Sequence, residues 1–264
     1  MVRVMSTFVQ HFAGRAHCFF DLKPHLACLS AADASPLLSA AAGQDREAAV
    51  LEARLRRSFR RTEGMDVSAT AEQSAAEEAE ACRLVETWIR FGGGSGAENK
   101  SPEALLQLAV VALIEADRWS PNKAADRQHL LDAVVLAQLG LTEQKHAFGF
   151  KVLLLLLYNA LGLPMLMFKV FSTMAIKNIQ HESLSHLVFD ALENICPEQF
   201  REVCRSIQSF HEDLDKDGND CLHAAFGMQG VLCRVPEYVD SIAQVSNSFM
   251  WARAVIEETA ADVA

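Results

Sequence analysis

An apolar segment that ends in a Gly-Leu-Pro break constrains the fold of this chain more than any other feature. Residues 148–161 read FGFKVLLLLLYNAL, and Gly162-Leu163-Pro164 follows directly. If this segment is helical, nearly every face of the helix is apolar. Such a helix is expected to be buried among other helices. Glycine readily takes the left-handed backbone at a helix end, and proline suits the first position of the next helix. We therefore predict a helix over 146–161 that stops at Gly162, and a second helix that begins at Pro164.

The same segment is too short to cross a membrane. A spanning helix needs about 20 apolar residues, and the uncharged run 152–168 is broken by Gly162. Polar and charged residues also interrupt the first 18 residues, where a secretory signal would need an apolar core. The seven cysteines form no CxxC pair, which suits reduced thiols in the cytosol. We expect a cytoplasmic protein without membrane contact.

The composition favours a globular helical protein. The 264 residues are 50% hydrophobic and 22% charged, with only two tyrosines and seven prolines among abundant alanine and leucine. These proportions favour helix over strand. A net charge of −10 argues against direct DNA binding, which requires a basic face.

The chain divides into three parts. Residues 1–62 contain short helical patterns, and residues 63–100 form a low-complexity Ala/Glu-rich and Gly-rich insertion or linker with one short helix at 81–91. Residues 101–264 are almost continuously helical. Helical hairpins begin near residues 126, 165, 198 and 236, a spacing of roughly 33 to 39 residues that is typical of helical repeats. We predict an all-α fold, an α-α superhelix of the tetratricopeptide-like helical-repeat solenoid type.

Within this part, the sequence predicts helix ends and buried faces. Gly140 is expected to end a helix that starts at Asp126. Apolar residues follow helical spacing from Leu184 to Ile195, which indicates one buried helix face. A further helix begins at Pro197, and it is expected to turn four residues inward: Phe200, Val203, Ile207 and Phe210.

The motifs that resemble catalytic or metal sites are incomplete. Asp213–Asp220 follows the first half of a calcium-binding EF-hand loop, but Ala224 stands where the loop needs a bidentate glutamate. We therefore predict a solvated acidic turn between helices. His17, Cys18, His25 and Cys28 lack the closely spaced chelating pair of structural zinc sites. No catalytic, metal or cofactor-binding residues are predicted.

Two polar clusters are candidates for binding partners. The string Ile176-Lys-Asn-Ile-Gln-His-Glu-Ser-Leu184 lies between two apolar helices, and its candidate interface residues are Lys177, Gln180, His181 and Glu182. The alternative is that they cap and solvate a helix end. A basic patch on one helix face consists of Arg54, Arg57 and Arg61, which suits ribosomal RNA or an acidic partner; the alternative is a solvated helix face.

Three blocks resemble the auxiliary, non-catalytic subunit of the NatB N-terminal acetyltransferase. They are CFFDLKPHL at 18–26, the stretch from Phe148 to Glu182, and the stretch from Pro236 to Ala254. The resemblance implies a helical scaffold that cups the catalytic subunit, itself not an enzyme, and that helps to hold the complex at the ribosome. It implies acetylation, by the complex, of nascent chains that begin with Met followed by Asp, Glu, Asn or Gln.

Alternatives remain at this point. Members of that family are several times longer, so we expect a fragment, a truncated gene model or a shortened paralogue. The acetyl-CoA loop of the catalytic enzymes has no counterpart, since the nearest stretch, Arg90–Ser95, ends in the wrong residue. An unrelated α-solenoid adaptor for proteins or peptides is the main alternative, and a calcium-binding module at Asp213–Asp217 is a third.

Overall fold

The computed structural model consists mainly of α-helices in the residues that it describes. It describes residues 1–15, 17–43, 45–62, 70–92, 103–121, 127–176, 180–193, 195–227, 239–240, 243 and 247–263, and no strand occurs among them. The helices are α1 (Val2–Phe12), α2 (Cys18–Leu26), α3 (Ala34–Ala41), α4 (Arg46–Thr62), α5 (Thr70–Arg90), α6 (Glu103–Trp119), α7 (Gln128–Glu143), α8 (Phe148–Ala160), α9 (Pro164–Thr173), α10 (Gln180–Leu184), α11 (His186–Glu193), α12 (Pro197–Gly227) and α13 (Phe249–Val263). The predicted all-α helical-repeat class is confirmed.

The chain forms two compact units, Met1–Leu153 and Leu154–Ala264. The division predicted near residue 100 falls inside the first unit, because α5 packs along α6 and α6 packs along α7. The glycine run at 93–96 and most of the helix predicted from Pro236 lie outside the described residues; residues 239, 240 and 243 of that helix are described and are helical. No helix in the described part of the chain is long and apolar enough to cross a membrane.

The beginning of the first unit is organised around a core shared by α1 to α4. Helix α2 turns Cys18, Leu22 and Leu26 into this core, at positions one helical turn apart. Leu37 of α3 and Leu55 of α4 are completely buried against them. The apolar face of each short helix is thus covered by its neighbours, which supplies most of its stability.

Helix α5 extends much further than the sequence predicted. The short helix expected at 81–91 begins at Thr70, so most of the Ala/Glu-rich stretch is helical and not a linker. Ala81, Leu84 and Trp88 are buried, and the Ser74 hydroxyl donates a hydrogen bond of 2.8 Å to the carbonyl oxygen of Ala116 in α6. Alanine favours helix and allows close packing, so a stretch that looks like low complexity forms a packed helix.

The sequence predicted that Gly140 ends α7, but this residue lies within the helix. The helix continues to Glu143, and the ring of Phe150 from α8 lies directly against the glycine. A Cβ atom added at residue 140 would overlap this ring. Phe150 is fully buried and has little room to move. Gly140 is therefore required by close packing of α7 on α8.

We expect Gly140→Ala to lower the free energy of unfolding by about 1 to 2 kcal/mol, because overpacking costs more than alanine's helix propensity gains. Gly149→Ala is the matched control, since its added Cβ would meet the amide end of the long Gln107 side chain, which can shift where a buried ring cannot, and we expect a smaller change. Urea unfolding of both variants measures the difference. A Gly140→Ala protein as stable as the wild type would contradict this account.

The predicted helix end at Gly162 is confirmed. Helix α8 ends at Ala160, and Gly162 has a positive φ of 69°. The N–H of Leu163 donates to the carbonyl oxygen of Tyr158 at 2.8 Å, and the N–H of Gly162 donates to that of Asn159 at 3.0 Å. This pair of hydrogen bonds is the Schellman motif. Pro164 then occupies the start of α9, as predicted.

The core of the second unit is formed where α9, α12 and α10 pack around α11, and α13 packs on α12. Val188 and Leu192 are buried as predicted, and Phe189 is buried with them. The ring of Phe189 packs edge-on against that of Phe200, with 5.0 Å between the ring centroids. Val203 and Ile207 are also buried as predicted.

Several of the residues predicted to face inward in this unit differ. Some are only partly buried, namely Leu184, Leu187 and Ala191. Ile195 is exposed because α11 ends at Glu193, and Phe210 is only partly buried. The helical spacing that predicted Ile195 inside applies only as far as the helix continues.

The prediction of an acidic turn at Asp213–Asp220 is wrong. The backbone is helical through this stretch as part of α12. Residues 213–220 contain one glycine, Gly218, and no proline. A glycine inside a helix costs only about 1 kcal/mol. The chain therefore continues as one helix where the sequence resembled a calcium loop.

Candidate functional site

The candidate interface lies where α9 passes into α10. After Thr173 the backbone turns at Ala175, which has a positive φ of 50°. This conformation costs an alanine roughly 1 to 2 kcal/mol, so the surrounding packing must hold it. Helix α10 begins at Gln180. Lys177 lies outside the described residues, and only the backbone of Glu182 is described.

Gln180 and His181 face in different directions. Gln180 is exposed, whereas His181 is only 8% exposed. The Nδ1 atom of His181 lies 3.4 Å from the hydroxyl of Ser185, which is itself completely buried. The imidazole also stacks on Phe210 of α12, with 6.5 Å between ring centroids. Of the two side chains, Gln180 is exposed to solvent and His181 packs α10 against α12.

A small cavity opens beside His181. Its volume is about 180 Å³, large enough for one side chain of a partner. The walls combine aromatic rings with an imidazole, a carboxylate and hydroxyl groups, from Phe168, Phe171, Ser172, Ala175, Ile176, His181, Glu202, Val203 and Ser206. This mixture suits recognition of a side chain with a polar end and an apolar stem.

The described part of the basic patch is engaged with neighbouring helices. The guanidinium of Arg57 lies 3.4 Å from Glu77 of α5 and 3.8 Å from Glu115 of α6, and its side chain is only 15% exposed. Arg57 thus joins three helices of the first unit. From the sequence, this patch was expected to suit ribosomal RNA or an acidic partner, with a solvated helix face as the alternative. The spacing along α4 did not indicate that glutamates of α5 and α6 lie opposite Arg57.

Arg54 is engaged with aromatic rings. Its guanidinium lies 5.6 Å from the ring centre of Phe19 and 5.2 Å from that of Phe20, both in α2. Burial lowers the pKa of Arg54, partly offset by the charge of Glu47. These cation–π contacts tie α4 to α2. The side chain of Arg61 lies outside the described residues, and contact of this patch with RNA stays a prediction.

We expect Arg57→Ala to lower the free energy of unfolding by about 1 to 2 kcal/mol, because it removes a largely buried cation that links Glu77 and Glu115 across two helices. Arg56→Ala is the matched control. Arg56 pairs with Glu52 on the same helix and is 41% exposed, so we expect its loss to cost under about 0.5 kcal/mol. Equal effects of the two substitutions on urea unfolding would contradict a packing role for Arg57.

The four residues considered for zinc do not converge. Cys18 is buried in the α2 face that packs on the core, and burial together with the charge of Asp21 raises the pKa of its thiol. His17, His25 and Cys28 are exposed. Among the described residues, no three His, Cys, Asp or Glu side chains are grouped closely enough to hold a metal ion.

Comparison with known proteins identifies the family. The family described as the non-catalytic subunit of the N-acetyltransferase B complex (NatB) matches residues 1–264. The auxiliary subunit NAA25 of the N-terminal acetyltransferase B complex from Arabidopsis thaliana is 27% identical over 159 residues, 59% of this chain and 14% of that protein. The human N-alpha-acetyltransferase 25, NatB auxiliary subunit, is 26% identical over 157 residues, 59% of this chain and 16% of that protein.

A third relative is more similar over a shorter stretch. The subunit arm1 of the N-terminal acetyltransferase B complex from Schizosaccharomyces pombe is 43% identical over 90 residues, 32% of this chain and 11% of that protein. The chain therefore matches only 11% to 16% of the length of these relatives. The alternative of an adaptor from an unrelated family is excluded, because the family match covers every residue: this chain belongs to the family of non-catalytic subunits of NatB.

Proposed function

We propose that this chain is part of a cytoplasmic auxiliary scaffold that supports the catalytic subunit of the NatB N-terminal acetyltransferase. The match of all 264 residues to the non-catalytic subunit family carries this proposal. The proposal includes association with the ribosome and acetylation, by the complex, of nascent chains that begin with Met followed by Asp, Glu, Asn or Gln. Within this scaffold, Arg54 and Arg57 hold α4 against its neighbouring helices.

The junction of α9 and α10 is the proposed contact with the catalytic subunit. Gln180 is exposed on α10, and the next residue, His181, lines a small cavity and holds α10 against α12. A partner can then use an accessible polar side chain on a well-packed support, which reduces the entropy lost on binding. Lys177 and Glu182 belong to the proposed contact as its flanking charges.

The test of this contact separates binding from folding. We expect Gln180→Ala and Lys177→Ala to leave stability within about 0.5 kcal/mol of the wild type and to weaken co-purification with the catalytic subunit, because interface residues can dominate affinity without affecting folding. Gln138→Ala, at an exposed glutamine of α7, is the control. Paired thermal melts and pull-downs provide the measurement. If the variants fold normally and still co-purify fully with the catalytic subunit, Lys177 and Gln180 would only cap the helix and would not contact the partner.

We expect the isolated chain to show no acetyltransferase activity. The family is that of the non-catalytic subunit, and catalysis is assigned to its partner in the proposed complex. A radiolabelled acetyl-CoA assay with Met-Asp and Met-Glu peptides measures this, with the complete complex as positive control. Turnover by the pure chain would contradict the proposal.

A further inference from the structure

An open groove in the first unit runs between α5 and α7, with α6 beneath it. Its volume is about 460 Å³. Ala81 and Val85 of α5, Leu113 of α6, and Val135 and Leu136 of α7 form an apolar lining. All five residues belong to α5, α6 and α7, and α6 packs directly on both of the other helices, so the groove is a property of this packed unit.

An exposed apolar stripe on α7 includes the groove residue Val135. Leu131, Val135 and Leu139 are 48%, 63% and 36% exposed. They are spaced four residues apart, so they share one face over about 12 Å of helix. Single exposed apolar residues are ordinary, but an aligned set beside a groove is typical of a protein-binding surface.

Acidic residues border the groove on both sides. Glu78 and Glu86 lie on α5 and Asp132 lies on α7, and all three are exposed. The side chain of Glu78 is 58% exposed even though its carboxylate lies 3.6 Å from the ring of His129. The groove therefore offers an apolar floor between two negatively charged edges.

We propose that this groove binds an amphipathic helical segment of a partner protein, with apolar side chains one turn apart and lysine or arginine beside them. A helix laid in a groove buries such an apolar row, and its basic residues would meet the acidic edges. Nucleic acid would be repelled by the same edges. A second copy of this chain is disfavoured, because a symmetric contact would set acidic edges against each other.

This inference does not depend on the proposed function, and a designed probe tests it directly. The probe is a fluorescein-labelled 16-residue helical peptide with leucines at helical spacing flanked by lysines. One control peptide has its lysines replaced by glutamates, and another has the same composition in scrambled order. Fluorescence anisotropy with the full chain should give saturable binding of the probe alone.

Variants of the groove supply the second measurement. We expect Leu131→Gln combined with Val135→Gln to weaken the probe's affinity about tenfold or more, as loss of central apolar contacts does. Glu78→Lys combined with Glu86→Lys should weaken the lysine probe and allow the glutamate probe to bind. Val4→Gln and Glu212→Lys, at exposed positions outside the groove, are controls that should leave affinity unchanged.

Several outcomes would overturn the proposal. Equal binding of the scrambled peptide would reduce the effect to charge attraction, and unchanged affinity in the groove variants would place the peptide elsewhere. Dimerisation of the wild-type chain that Val135→Gln abolishes would assign the groove to a second copy. A large drop in melting temperature in Val135→Gln would mean that the chain itself covers this face.

Discussion

Burial of each helix's apolar face against nearby helices is the constraint on which this structure depends. Short helices are barely stable alone in water, so each must cover its apolar face. Helix α6 illustrates this: Leu105, Leu106, Ala109 and Val110 are all almost completely buried, because α5 and α7 both pack along it. At roughly 25 cal/mol per Å² of apolar surface, contacts of this kind supply the main stabilisation of each unit. Small residues such as Gly140 set how closely the helices approach.

Polar contacts between helices add specificity to this packing. Arg57 pairs with Glu77 and Glu115 across three helices of the first unit. In the second unit, Arg253 of α13 lies 2.9 Å from both Asp190 and Glu193 of α11. Hydrogen bonds and ion pairs of this kind need defined geometry, so they favour one relative position of the helices where apolar contacts alone would tolerate several. Arg54 and Arg57 of α4 therefore serve the fold first, whatever partners the helix meets.

A non-catalytic subunit works by presenting surfaces, and the two units present different ones. In the second unit, α10 has the exposed Gln180, and the adjacent His181 lines a cavity together with Glu202. In the first unit, the apolar groove beside Val135 has acidic edges. Both surfaces rest on well-packed helices, so little conformational entropy is lost when a partner binds. This is the physical advantage of a helical scaffold over a flexible linker.

The sequence by itself determined the helical class, the stop at Gly162 and the start at Pro164, because these follow from backbone preferences of a few adjacent residues. It also located the polar string at Gln180 and His181, but it could not separate the exposed side chain from the buried one. The close contact of Gly140 with Phe150, the full length of α5 and the partners of Arg57 were decided only by tertiary structure. Each depends on which distant residues lie opposite a given helix face, and local spacing carries no information about that.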